Sequence, residues 1–232
     1  MRWPRFLRQP PGPPSGSHAR DRAMMVAEQL EARGIRDPEL LRAFGAVERH
    51  LFVEGDEPYG DHALPVGSGQ TISQPFVVAM MTAAARPAEG WEGARTLEVG
   101  TGSGYQAAIL ATLGARLVSI ERHAELAQGA RERLGRAGLG HRVEVVVGDG
   151  TRGWTSGAPY RSILVTAGGP SVPVPLMEQL DPGGGRLVIP VGDRHHQNLT
   201  LVVRKGDEWT HELLEPVVFV PLIGEHGYPE DG

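Results

Sequence analysis

Apolar residues recur with two different periods along this chain, and the period changes near residue 89. Before it the spacing is helical. Ala23, Val26, Ala27 and Leu30 share one helical face, and Gly34 is placed to stop that helix. Asp37-Pro38 reads as an N-cap followed by proline at the first helical position, with Leu40, Leu41, Phe44 and Val47 on the apolar side of a second helix. Residues 52–70 hold Pro58, Pro65 and four glycines, which predicts a long loop. A third helix is expected from Pro75, burying Phe76, Val77, Met80, Met81 and Ala84. From Arg95 onward, short apolar runs alternate with helix-like segments, the pattern of a parallel sheet. Strands are expected before Gly100, at 115–120, 143–147, 185–190 and 198–204, with a final strand at 217–222. The predicted fold class is α/β: a doubly wound, mostly parallel sheet with an N-terminal helical addition and an antiparallel C-terminal strand.

The first of these strands ends in Leu97-Glu98-Val99-Gly100-Thr101-Gly102-Ser103-Gly104-Tyr105, and a helix-like segment follows at once. Glycine at alternate positions lets the backbone adopt positive φ and lets a ligand approach without meeting a Cβ. The dinucleotide fingerprint G-x-G-x-x-G would need glycine where Tyr105 stands. A carboxylate at Glu98 can accept hydrogen bonds from the turn and favours a cationic cofactor. S-adenosyl-L-methionine carries a sulfonium and an ammonium, whereas a dinucleotide brings a pyrophosphate that the carboxylate would repel. Glu121 ends the next strand, 17 residues after Gly104, and is placed to accept ribose hydroxyls. Asp149, in Gly148-Asp149-Gly150 after the third strand, is placed for an adenine amino group. In an open α/β sheet these carboxyl ends form the ligand-binding edge.

Composition narrows the choices. The chain has 232 residues, 40% of them hydrophobic, which suits one domain with additions. A net charge of −5 argues against a nucleic-acid partner. With no cysteine there is no disulfide and no thiolate metal site, and no histidine pair has convincing ligand spacing, so no metal is expected. No apolar run approaches the roughly 18 residues of a membrane span. The N-terminus lacks the apolar segment of a secretory signal. A cytoplasmic monomer is the expectation.

Further motifs carry a resemblance. Leu64-Pro65-Val66-Gly67-Ser68-Gly69-Gln70-Thr71-Ile72-Ser73-Gln74-Pro75 resembles the substrate loop of protein-L-isoaspartate O-methyltransferases. Leu97–Tyr105 resembles their cofactor motif and Gly148–Gly150 their third-strand motif. Ile163–Ala167, Val172-Pro173, Leu180–Gly184, Val188–Gly192 and Phe219–Leu222 follow in the family's order. The resemblance spans roughly residues 22–224. It implies a Rossmann-like, class I S-adenosyl-L-methionine-dependent methyltransferase. The division it suggests is a disordered Pro/Gly/Arg-rich tail (1–18), N-terminal helices and substrate loop (19–88), a cofactor-binding core (89–224) and a C-terminal tail (225–232). Four positions depart from the family: Arg161, Gly168, Gly169 and Val218. They are expected at the rim of the site, where they would touch acceptor preference.

The implied reaction methylates the free α-carboxylate of an L-isoaspartyl residue in a damaged protein or peptide, and the ester recloses to succinimide. The resemblance places the catalytic serine at Ser73; Thr71 and the backbone amides near Ala167 and Gly168 are expected as substrate-binding helpers. Glu98, Gly100, Gly102, Gly104, Glu121 and Asp149 would bind the cofactor. Ser73, two residues before Pro75, also reads as a helix N-cap. Two alternatives keep the cofactor: methylation of a genuine aspartate in a particular peptide, and a non-catalytic cofactor-binding module.

Overall fold

The computed structural model describes residues 16–230. Most of the tail expected over 1–18 lies outside the described residues, and 16–18 already belong to the first helix. That helix, α1 (Gly16–Met24), continues into a wider, π-wound segment over Met25–Glu31. The winding changes the buried face: Met25 and Leu30, five residues apart, are fully buried, while Ala23 and Ala27 are exposed. The expected stripe, read at ordinary helical pitch, is correct only at Leu30 and the half-buried Val26. In α2 (Pro38–Ala46), Asp37 caps as expected, accepting from the amides of Glu39 (2.8 Å) and Leu40 (3.3 Å). Leu40, Ala43 and Phe44 face inward.

The predicted long loop ends in a hairpin, β1 (Leu64–Gly67) and β2 (Gln70–Ile72), whose turn carries positive φ at Gly67, Ser68 and Gly69. Helix α3 (Pro75–Ala84) starts where expected, but Gln74 holds the N-cap position and Ser73 lies outside the helix. Asp61, fifteen residues back in the loop, takes over the cap's work: its Oδ1 accepts the Phe76 amide at 3.2 Å, and its Oδ2 pairs with Arg33. The deepest residues of α3 are Val78, Ala79, Met81 and Thr82. Phe76, Val77, Met80 and Ala84 are only partly buried, so of the expected face Met81 alone is fully covered.

The core sheet has seven strands: β3 (Arg95–Val99), β4 (Arg116–Glu121), β5 (Val143–Val147), β6 (Ser162–Val165), β7 (Gly183–Gly192), β8 (Gln197–Lys205) and β9 (Glu208–Val217), in the order β5-β4-β3-β6-β7-β8-β9. The first five strands in that order are parallel, and β8 and β9 turn back antiparallel. The chain enters at the centre, runs outward through β4 and β5, then crosses to β6. The order therefore reverses between β3 and β6, and a crevice opens at their carboxyl ends. Alternation along the strands splits the core. Leu164, Val188, Leu199 and Leu201 face α4 (Tyr105–Thr112), α5 (Ala124–Arg136) and the N-terminal helices; Ile163, Val165, Leu187 and Ile189 face α6 (Val174–Glu178).

The expected final strand at 217–222 is corrected. The last sheet strand is β9, an edge strand with most residues exposed, including Leu213 at 70%. Exposed on both sides, it shows no inside–outside alternation to read. Residues 218–222 instead cross the carboxyl edge of the sheet and pair with the segment after β6 through Gly168 and Pro221. The expected C-terminal tail also packs onto the core as far as it is described. Glu225 donates its amide to Asp149 Oδ2 (2.9 Å), Tyr228 its hydroxyl to the Gly192 carbonyl (2.6 Å), and Glu230 pairs with Arg122.

The cap assignment is testable by stability. Asp61→Ala should cost about 0.5–2 kcal/mol, the range for losing a helix-capping carboxylate. Ser73→Ala should stay within about 0.5 kcal/mol of wild type, because Ser73 caps nothing. Urea unfolding of both variants checks this, and the reverse ranking would return the cap to Ser73.

Candidate active site

The turn after β3 is shaped by three left-handed glycines, with φ of 94° at Gly100, 52° at Gly102 and 91° at Gly104. Each has its own reason. A Cβ on Gly100 would lie 2.4 Å from Thr166 Oγ1, and one on Gly104 would lie 3.3 Å from the Ala130 Cβ of α5. Those two glycines permit close packing of the protein on itself. A Cβ on Gly102 would meet nothing within 4 Å. Its face is open to the crevice, so Gly102 is where the backbone can approach a ligand. Gly100 and Gly102 line the crevice, whereas Gly104 is turned toward α5.

Glu121 fixes this turn. Its Oε2 accepts the Gly102 amide at 2.8 Å and its Oε1 the His123 amide at 3.0 Å. Each oxygen keeps lone-pair capacity, and the carboxylate lines the chamber. Glu98 differs from expectation. It accepts from the Ser119 hydroxyl of β4 rather than from the turn, and Ser119 in turn shares a 2.6 Å bond with Thr101. Glu98 is fully buried, its Oε1 has no partner, and it lines the same chamber. Burial pushes its carboxyl up to about 8, with the charge of Glu121 adding and the Ser119 bond opposing. An unpartnered buried oxygen is a group waiting for a donor. An ammonium-bearing ligand meets that need, so the residues present fit S-adenosyl-L-methionine.

Asp149 is placed elsewhere. Its Oδ1 accepts from the amide (2.9 Å) and hydroxyl (2.7 Å) of Thr151, its Oδ2 takes the Glu225 amide, and it lines a neighbouring depression with Arg152 and Trp154. Burial opposes its ionisation, but the Glu225 and Thr151 donors outweigh that and hold its pKa below the usual range. Its neighbour Gly150, not Asp149, reaches the chamber.

A second cavity adjoins the first. It runs between α3 and the segment 216–220, and its lining mixes apolar residues, Val77, Val217, Val218 and Phe219, with polar ones, His195, His196, Gln197 and Asn198. The two cavities share Thr71, Ser73, Thr166 and Val220. Thr71 and Ser73 thus stand together at the junction of the two cavities. Ala167 lines the chamber. Gly168 lines neither cavity; its amide donates to the Val220 carbonyl at 2.8 Å and is not free for a substrate. A Cβ on Gly168 would sit 2.4 Å from the Gln197 amide carbon, so this departure serves packing beside the groove.

Of the other departures, Val218 is 71% exposed on the groove wall. Arg161 is at the opposite, amino end of β6, paired with Glu89 (2.9 Å) and Asp181 (3.2 Å), and cannot touch acceptor choice directly. Sequence reading missed Thr166 and Gln197. Thr166 donates to the Gly100 carbonyl (2.6 Å) and closes the crevice. Gln197 holds Phe219 by both backbone groups, at 2.8 and 3.2 Å. A lone threonine after a strand carries no sequence signal, and Gln197 is recognisable only once 219 is known to lie against it.

Glu98 makes a pH prediction. A carboxyl whose pKa is higher in the fold than unfolded stabilises the fold fully below its unfolded value, about 4.3. That contribution is lost as pH rises through about 8. Ligand-free Glu98→Gln should therefore lose the downward slope between about pH 4.3 and 8 and be the more stable protein above it. Parallel urea midpoints for the two proteins across that range would sink the assignment.

With the geometry described, relatives place the chain. A family model described as Protein-L-isoaspartate(D-aspartate) O-methyltransferase (PCMT) matches residues 20–227. A Methanospirillum hungatei protein named protein-L-isoaspartate O-methyltransferase is 49% identical over 218 residues, 93% of this chain and 99% of its own. One of the same name from Methylorubrum populi is 52% identical over 208 residues, 87% of this chain and 94% of its own. A solved protein-L-isoaspartate O-methyltransferase superposes with a TM-score of 0.78 at 26% identity, covering 89% of this chain and 67% of that one. A Plasmodium falciparum structure holding S-adenosyl-L-homocysteine shares the fold, with a TM-score of 0.75 at 22% identity over 88% of this chain and 98% of its own. The match runs through the hairpin, the glycine turn and the C-terminal crossing segment alike, and the chain belongs to the protein-L-isoaspartate O-methyltransferase family.

Proposed function

We propose that the protein uses S-adenosyl-L-methionine to methylate the free α-carboxylate of L-isoaspartyl residues in damaged proteins and peptides, starting their repair through succinimide. The observation that carries this reading is the junction at Thr71 and Ser73 between a chamber suited to a cationic nucleoside and a groove suited to a peptide. When bound, the cofactor supplies a methyl group activated by its sulfonium. Glu121 is suited to the ribose hydroxyls, Glu98 to the ammonium, and Gly102 to close backbone approach. The site residues assigned here are Ser73 as the catalytic residue and Thr71 and Ala167 as acceptor-binding residues.

The chain has little proton chemistry to perform. An α-carboxylate has a pKa of about 3.3–3.7 and is ionised at neutral pH, so no general base is needed. The residues must align one carboxylate oxygen with the methyl carbon at roughly 3 Å and strip its water. The Ser73 hydroxyl donates to that carboxylate and fixes its orientation without neutralising it. The apolar residues of the groove, Val77 and Phe219 among them, are suited to exclude water, and its polar residues are suited to take the acceptor's backbone groups. The reading includes a cytoplasmic monomer with no nucleic-acid or membrane partner; the net charge of −5 supports the absence of a polyphosphate ligand.

A labelled-methyl assay on matched peptides tests the reading. The L-isoaspartyl peptide should be strongly preferred over its L-aspartyl twin, because the two isomers exchange the positions of chain and carboxylate. Equal rates would favour a peptide-tailoring enzyme, and no transfer to either would favour a non-catalytic module. Ser73→Ala should lower transfer to the isoaspartyl peptide by about 10²–10³-fold, as loss of an oxyanion-type donor does, while leaving S-adenosyl-L-homocysteine affinity unchanged. A wild-type rate from Ser73→Ala would remove Ser73 from the chemistry.

A further inference from the structure

Among the described residues, Arg49 is the one arginine the core encloses completely. It lies in a short 3-10 turn, Arg49–Leu51, after α2 and has no exposed surface. Among the described residues it forms no ion pair; Asp61 acts on it only through space, being bound already to Arg33 and the Phe76 amide. Its Nε donates to the Pro58 carbonyl and its Nη2 to the Ser73 carbonyl, both at 2.8 Å. Its guanidinium carbon lies 4.7 Å from the ring centroid of Tyr105, the residue that opens α4 directly after the glycine turn.

A buried cation without a counter-ion is costly, and an apolar side chain of similar length would avoid that cost. What an apolar chain cannot do is grip two carbonyls from separate segments with one planar fork. Ser73 needs such a grip. It sits in the two-residue joint between β2 and α3, outside both elements. Asp61 holds the joint on its helix side, through Phe76, and Arg49 holds it at Ser73 itself. The stacking on Tyr105 references that grip to the wall of the cofactor chamber, which Tyr105 lines.

We propose that Arg49 is a positioning residue for methyl transfer: by gripping the Ser73 carbonyl while its guanidinium lies over the Tyr105 ring, it sets the serine hydroxyl at the junction of chamber and groove. This rests on the function proposed above, so the test keeps the two apart. Wild-type transfer to the isoaspartyl peptide is the arm that tests the function, and its absence would remove both. Arg49→Lys keeps the charge but not the fork. A displacement of the order of 1 Å at a reacting group costs about 100-fold, so we expect kcat to fall about 10–100-fold. Rates are counted per S-adenosyl-L-homocysteine-binding site, so an unfolded fraction does not enter. Cofactor affinity should stay within about threefold, less than 1 kcal/mol.

The decisive measurement is the cycle with Ser73→Ala. If Arg49 acts through Ser73, the double variant is no slower than Ser73→Ala alone. Losses that multiply, cofactor affinity that falls in step with kcat, or a slow Arg49→Lys beside a fully active Ser73→Ala each overturn the proposal. Should Arg49→Lys not fold, Arg49→Met carries the same cycle. Failure of both to fold, with Ser73→Ala folded, assigns Arg49 to stability alone and also overturns it.

Discussion

The amide of Gly102 donates to Glu121, the last residue of the neighbouring strand, and that bond joins the tip of the central turn to the edge of the sheet. The rest of the site is placed relative to it. β3 is central because it pairs with both β4 and β6, so the turn that leaves it stands where the strand order reverses. Thr166, leaving β6, donates to the Gly100 carbonyl and closes the crevice from the other side. Gly100 and Gly104 let Thr166 and α5 approach, and only Gly102 is left facing open space. A turn of this kind has few conformations left to lose when a ligand arrives, which lowers the ordering cost of binding.

Two carboxylates 23 residues apart in sequence serve the same chamber in different ways, and their surroundings decide how. Glu121 is met by two backbone amides, from Gly102 and His123, and is fixed in place by them. Glu98 is buried with a single hydroxyl partner, so the ligand-free fold favours its protonated form near neutral pH. A cationic ligand reverses that preference by supplying the missing charge.

The acceptor side is assembled from distant parts of the chain. The hairpin and α3 supply one wall of the groove, and the segment 216–220 supplies the other. Gln197 holds that second wall by satisfying the backbone of Phe219, as a neighbouring strand would. Farther on, the C-terminal segment reaches Asp149 and Thr151, so this end of the chain braces the third-strand loop beside the chamber. Asp149 is thereby held by three donors of the chain itself, two from Thr151 and one from Glu225, at a position where sequence alone suggests a ligand contact.

Local rules were enough for much of the architecture. Parallel strands buried on both faces read as short apolar runs, and the alternation with helices set the fold class. Asp37-Pro38 signalled its helix start because a cap acts within three residues. The glycine turn and Glu121 were legible because positive φ and a strand-end acid are local requirements. What failed was whatever depended on partners far along the chain. The π-wound segment moved burial to Met25, and β9, exposed at the sheet edge, carried no alternation to read. The cap of α3 came from Asp61 rather than the adjacent Ser73. The grip of Arg49 on Ser73 spans 24 residues and the brace of Glu225 on Asp149 spans 76. The sequence by itself determined the fold class, the glycine turn and the motif that carries Ser73, because each is written in neighbouring residues. Only the tertiary structure decided which of those groups reach the chamber, since a hydrogen bond across the fold leaves no spacing in the sequence.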